Sequence, residues 1–274
     1  MYQESCQNVA GAYALATGEA ATYRLRLLHG LYGPGTRRLL LEAGLRRGMR
    51  VADVGCGVGL VTALLAKLVG PEGQVIGIDF SGAQLTRARE RLAGSGTSAS
   101  FVEASATDTG LPPGSFDLVY CRFLLLHLPE PERALGEMRS LLKPGGTLVC
   151  EDGDLTSSGS EPPSALAAFA DLWCRLGPRR GLDYNLGRRL FHMVLAAGFP
   201  APEITFNQPV VARVRSSASA VIRPASIKAG PASATDSSRK RLFSPRATTG
   251  WLKVISGAGK PAASTIWKRR RPRV

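Results

Sequence analysis

The chain reads as an α/β protein with a doubly wound, mostly parallel sheet and helices on both faces. Three observations predict this. Short apolar runs alternate with helix-length segments from residue 51 onward. The first run, 51–54, passes through Gly55-Cys56-Gly57-Val58-Gly59 into an apolar helix at 60–69. The next run, 74–78, ends on an acid, Asp79. Alternation of this kind calls for right-handed crossovers between parallel strands.

The elements follow in order. Residues 19–47 have helical periodicity through Leu25, Leu28, Leu31, Leu39 and Leu40, with a break expected at Gly33-Pro34-Gly35. Residues 51–54 form the first strand and 60–69 its helix, closed by Gly70-Pro71. Residues 74–79 form the second strand. Ser81 and Gln84 read as a capping box, with Gln84 reaching back, ahead of a helix to about Leu92. Strands are expected at 100–103, 116–120 and 147–151, with a helix over 131–142 that stops at Lys143-Pro144-Gly145-Gly146. Helices near 164–176 and over 186–197, the latter capped by Asn185, precede a sixth strand at 204–213.

The glycine turn points to a cofactor. Without Cβ atoms, backbone can approach a ligand closely, and the helix start presents free N–H groups. A dinucleotide fingerprint has glycines at relative positions 1, 3 and 6. Here they stand at 1, 3 and 5, and Leu60 holds the sixth place. With Asp53 two residues ahead of the turn and Asp79 at the next strand tip, the sequence resembles the class I methyltransferases that use S-adenosylmethionine. The resemblance runs from about residue 19 to about residue 212. It implies a Rossmann-like fold and a donor held by Asp53, Gly55, Cys56, Gly57, Asp79, Phe80, Ser105, Ala106, Cys121 and Arg122.

Each of these residues has a stated role. Asp79, at a strand tip, can accept both ribose hydroxyls. Phe80 can cover the adenine, or pack in the core. The turn 55–57 suits the methionine part, and Asp53 either meets its ammonium or orders the turn. Cys56 is needed there only for its small size. Where the family often has Gly-Asp-Ala, this chain has Ala104-Ser105-Ala106, so Ser105 or the Ala106 backbone takes the adenine edge. Cys121 and Arg122 end the fourth strand, where backbone would meet the donor's ammonium or sulfonium end. Asp117, which opens that strand, reads as structural. No Asn/Asp-Pro-Pro-aromatic sequence follows, which favours a small-molecule acceptor. His127 is the candidate general base, or else a core histidine. The acceptor pocket is expected from the N-terminal helices, the acids Glu151, Asp152 and Asp154, and residues 181–190.

Charge divides the chain. Of 35 Lys+Arg and 21 Asp+Glu in 274 residues, the whole excess of +14 falls after residue 212, where Asp236 is the only acid. Residues 1–212, with 1–47 as a helical cap, read as the donor-binding domain. Residues 213–274 read as a basic, disordered tail with strand hints only at 251–255 and 264–267. A convincing seventh, antiparallel strand is not visible. A shifted reading frame near 213, a flexible extension and a nucleic-acid-binding arm all fit the change, and the arm is not favoured. Five scattered cysteines without Cys-x-x-Cys, and three separated histidines, argue against disulfides or a metal site. No apolar run reaches 18 residues and no secretory signal is seen, so a cytoplasmic protein is expected. The rival functions are an RNA methyltransferase using the tail and a non-catalytic homologue.

Overall fold

A computed structural model describes residues 19–159, 165–200, 202–207, 209–210, 223–224 and 248–257. Helix α1 (Glu19–Glu42) leads into β1 (Arg50–Val54), α2 (Leu60–Val69), β2 (Gln74–Asp79), α3 (Gly82–Leu92) and β3 (Ala99–Glu103). Then come β4 (Phe116–Arg122), α4 (Pro131–Leu141) and β5 (Leu142–Gly159). Strands β3-β2-β1-β4-β5 pair in that order, all parallel. The order reverses between β1 and β4, which opens a crevice at their carboxyl ends.

Side chains along each strand alternate between two buried layers. On one face Ala52, Val54, Ile76, Ile78 and Val119 pack with Leu135, Met138 and Val194. On the other, Val51, Val75, Leu118 and Val149 pack with Leu39, Leu40, Leu65 and Val69. The expected break at Gly33-Pro34-Gly35 does not occur, and α1 runs through Pro34. Tyr32, Thr36, Leu39 and Leu40 are buried on both sides of it, so tertiary packing overrides the local preference.

The later elements are α5 (Ala165–Leu176), α6 (Leu190–Ala196), β6 (Glu203–Asn207), β7 (Pro209–Val210), β8 (Arg223–Pro224) and β9 (Thr248–Gly257). The helix expected over 186–197 is divided into a 3-10 turn, Leu186–Arg188, and α6. A Cβ at Gly187 would stand 2.8 Å from the Gly153 backbone, so this turn is wedged against β5. Asn185 makes no capping bond with its side chain. Instead its N–H donates to Asp183 at 2.9 Å.

The doubt about the seventh strand is corrected. Strand β9 lies antiparallel between β5 and β6, pairing Cys150 with Val254 and Ile204 with Val254 on its two sides. The strand hint at 251–255 belongs to this element. The hint at 264–267, the basic block at 268–273 and the end of the expected sixth strand at 211–213 lie outside the described residues. Among the described residues, no helix is long and apolar enough to cross a membrane.

Candidate active site

The glycine turn is tied to the tip of β2. Gly55 and Cys56 donate their N–H groups to the Ile78 carbonyl at 2.8 and 3.0 Å. Gly57 N–H donates to Asp79 Oδ2 at 2.8 Å, and Ser81 N–H to Asp79 Oδ1 at 3.0 Å. That second bond explains why Gln84 does not complete a capping box. Ser81 caps α3 by accepting from Gln84 N–H, but its own N–H is already taken by Asp79. The Gln84 side chain turns into the site instead, with Oε1 3.1 Å from where a Cβ on Gly57 would stand.

Two of the glycines are required by conformation and space together. Gly55 has φ +72°, and an added Cβ would meet Leu124 at 2.8 Å. Gly59 has φ +73°, and its Cβ would meet Ala88 at 2.9 Å. The turn thus lets α3 and the residues after β4 close in on the start of α2, which no side chain caps.

Asp53 is buried beneath the turn and accepts from Thr62 Oγ1 at 2.6 Å. Burial raises its pKa to about 6, against the opposing pull of that hydrogen bond. Burial raises the Asp79 pKa too, while its backbone partners oppose the rise. Cys56 is pushed well above the ordinary thiol range by burial, so it is no nucleophile.

The opposite wall comes from the tip of β4. Arg122 donates to Thr36 Oγ1 at 3.1 Å, lies 3.4 Å from His29 Nδ1, and stands over the Phe123 ring at 5.4 Å. Phe123 has φ 54°, the only positive φ outside glycine among the described residues. Its ring meets Tyr32 edge-on at 5.2 Å. A 3-10 turn, Leu125–His127, follows. His127 meets Tyr184 edge-on at 5.8 Å. Burial, and then Arg24, lower its pKa to about 4, so the imidazole is neutral at physiological pH.

The acids of β5 do not reach this space, contrary to the expectation of an acceptor pocket there. Glu151 is buried and accepts from the Tyr120 hydroxyl at 2.9 Å. Asp154 pairs with Arg188 at 2.6 Å. Asp152, fully buried, accepts from Leu126 N–H at 3.2 Å and Gly153 N–H at 2.8 Å, and so anchors the turn that carries His127. Asp117, expected to be structural, accepts from Arg50 N–H and Lys143 Nζ, both at 2.8 Å.

Burial raises the Asp152 pKa to about 7. A carboxyl whose pKa is higher in the folded protein than in the unfolded chain loses stability as pH rises from about 4 to about 7. The stability of wild type relative to Asp152→Asn should therefore fall across that window, by roughly 3–4 kcal/mol at full shift. Urea titrations at pH 4.5 and 7.5 measure it. A constant difference between the two proteins would contradict the assignment.

A single cavity of about 370 Å³ joins these parts. Of the ten residues expected to hold a donor, Asp53, Gly55, Cys56, Gly57, Asp79, Phe80, Ser105, Ala106 and Arg122 line it, as does His127. Cys121 does not. Its side chain is buried in the sheet with Sγ 3.4 Å from Cys150 Sγ, and the wall at this point is Arg122–Phe123–Leu124. Phe80 sits at the rim, 53% exposed. Ser105 is bonded to Thr107, at 2.8 Å between hydroxyls. Arg24, Gln84, Phe123 and Arg180 also line the cavity; from sequence Gln84 was read only as a capping residue, and the other three were not singled out. Of these four, only Arg24 falls in a region expected to line the site, the N-terminal helices. Among the described residues no cluster of His, Cys, Asp and Glu could hold a metal ion.

The fold is Rossmann-like, and its cavity opens at the switch point of the sheet, between β1 and β4. The family described as "Methyltransferase domain" matches residues 52–150. Demethylmenaquinone methyltransferase of Staphylococcus aureus (strain JH9) is 40% identical over 114 residues, which are 42% of this chain and 47% of that protein. The chain thus matches about half the length of this curated relative. A SAM-dependent methyltransferase from Aquifex aeolicus shares the fold with a TM-score of 0.55 at 19% identity, over 88% of this chain and 100% of the other. A putative methyltransferase from Bacillus halodurans does so at 0.54 and 16%, over 81% and 98%. Residues 52–150 therefore match a methyltransferase domain, and the two solved structures share its Rossmann-like fold.

Proposed function

We propose that this chain transfers a methyl group from S-adenosylmethionine to a small-molecule acceptor by in-line displacement. One observation carries the reading: a single cavity connects the glycine turn and Asp79 with His127 and Leu182, so donor and acceptor can share one space. Its volume of about 370 Å³ lies within the ordinary range for small-molecule sites. The similarity to demethylmenaquinone methyltransferase supports a small acceptor.

In this reading Asp79 accepts the ribose hydroxyls, keeping its backbone bonds through its remaining lone pairs. Phe80 covers the adenine, and Ser105 with the Ala106 backbone meets its edge. The first turn of α2 and residues 55–57 receive the carboxylate of the methionine part, and Asp53 faces its ammonium. When bound, the cofactor supplies a methyl group on a positively charged sulfur with a neutral leaving group. The protein's part is proximity, alignment and exclusion of water. Neutral His127 can take a proton from an acceptor that must lose one. A cytoplasmic location belongs to the same proposal. A second reading, an RNA acceptor, draws on the charge concentrated in residues 213–274. Steeply salt-dependent RNA binding by the full chain would favour it.

Asp79→Ala tests the donor assignment. It removes a charged acceptor and should weaken S-adenosylmethionine binding by about 1–3 kcal/mol in a folded protein. Equal affinity of mutant and wild type would remove the ribose role from Asp79.

A further inference from the structure

We propose that the acceptor is an anion, such as a carboxylate or phosphate bearing the nucleophile, and that Arg24 and Arg180 hold its negative group. The proposal rests on the methyl-transfer reading above. Its basis is an imbalance of charge in the cavity wall.

Two acids and three guanidinium groups line the cavity: Asp53 and Asp79 against Arg24, Arg122 and Arg180. Both acids are engaged, Asp53 by Thr62 and Asp79 by two backbone N–H groups. None of the three arginines makes an ion pair among the described residues. Arg122 is steadied by the neutral partners Thr36, His29 and the Phe123 ring, none of which cancels its charge. Burial and the nearby Arg122 hold His29 neutral, with a pKa lowered to about 4. Arg24 lines the same cavity as the candidate base His127.

The donor adds to this imbalance. Its sulfonium and ammonium outnumber its single carboxylate, and that carboxylate can serve only one guanidinium. A neutral acceptor would leave these guanidinium groups at the cavity wall without an anionic partner. An anionic acceptor pairs with them, through forked contacts that arginine is built to make. Arg180 lies at the exposed mouth, so part of its effect is attraction of the incoming anion.

The test uses the full chain saturated with S-adenosylhomocysteine, a zwitterion that occupies the donor half. Benzoate, phenyl phosphate and phenylacetate are titrated calorimetrically against benzamide, benzyl alcohol and phenylacetamide. The acids should bind at least about tenfold more tightly than their uncharged counterparts. Arg24→Gln and Arg180→Gln should each erase most of that difference while S-adenosylhomocysteine affinity changes much less. No preference for acids anywhere in the panel overturns the proposal. Loss of S-adenosylhomocysteine affinity in both variants, with the preference for acids intact, also overturns it and assigns the arginines to the donor's carboxylate. Failure of wild type to bind S-adenosylhomocysteine at all would instead refute the methyl-transfer reading itself.

Discussion

Replacing Gly57 with valine is expected to abolish S-adenosylmethionine binding more completely than loss of the Asp79 carboxylate. Gly57 has φ +55°, a conformation that costs an L-residue about 1–2 kcal/mol and a β-branched one more. A Cβ there would stand 3.1 Å from Gln84 Oε1 and 3.5 Å from Leu25, between the turn and α1. Valine's two methyl groups would extend into the cavity that the turn lines. They would also disturb the Gly57 N–H bond that orients Asp79. Thermal melting and calorimetry on the same sample separate the two effects. Moderate loss of stability with no detectable donor binding is the expected pair. A folded variant with ordinary affinity would show that this turn does not face the ligand.

Removing residues 248–274 should have the largest effect on stability. Strand β9 pairs with β5 from Thr147↔Gly257 to Gly159↔Thr248, and on its other side with β6 from Glu203 to Asn207. Its loss leaves two strands with unpaired backbone, a template for aggregation. The described side chains of β5 there, Leu148, Val149 and Cys150, are buried, so the exposed edge would belong to an apolar strand. A loss of several kcal/mol should lower the melting temperature by about 10 °C or more. The variant should also precipitate readily. In the intact chain, hydrogen exchange should show protected amides at 251–255. Fast exchange at those amides, with unchanged melting after truncation, would detach β9 from the sheet.

Much of the parallel half was legible in the sequence because its signals are local. The glycine turn, the apolar runs and the acid at a strand tip each fix backbone geometry within a few residues. The segments Leu60–Val69 and Gln74–Asp79 fall where the sequence places them. What escaped depends on distant partners. Pro34 stays in a helix because Tyr32, Thr36 and Leu39 are buried on other elements. Asp152 reads as one of several loop acids, yet it is buried beneath the turn carrying His127. Strand β9 holds the apolar run 251–255, read as a strand hint, but the basic stretch around it argues for disorder, while its backbone completes the sheet. In the site, the aspartates and glycines announce themselves by motif. Arg24 and Arg180 do not, because an arginine near a helix end is ordinary until the fold brings it to a cavity.

The central claim is that this cavity takes S-adenosylmethionine and not a dinucleotide. Calorimetric titration of the full chain with S-adenosylmethionine and, separately, with NAD tests it most directly. The account predicts saturable one-site binding of S-adenosylmethionine, weakened in Asp79→Ala, and no heat of binding for NAD. Binding of NAD in place of S-adenosylmethionine, or of neither, would contradict it.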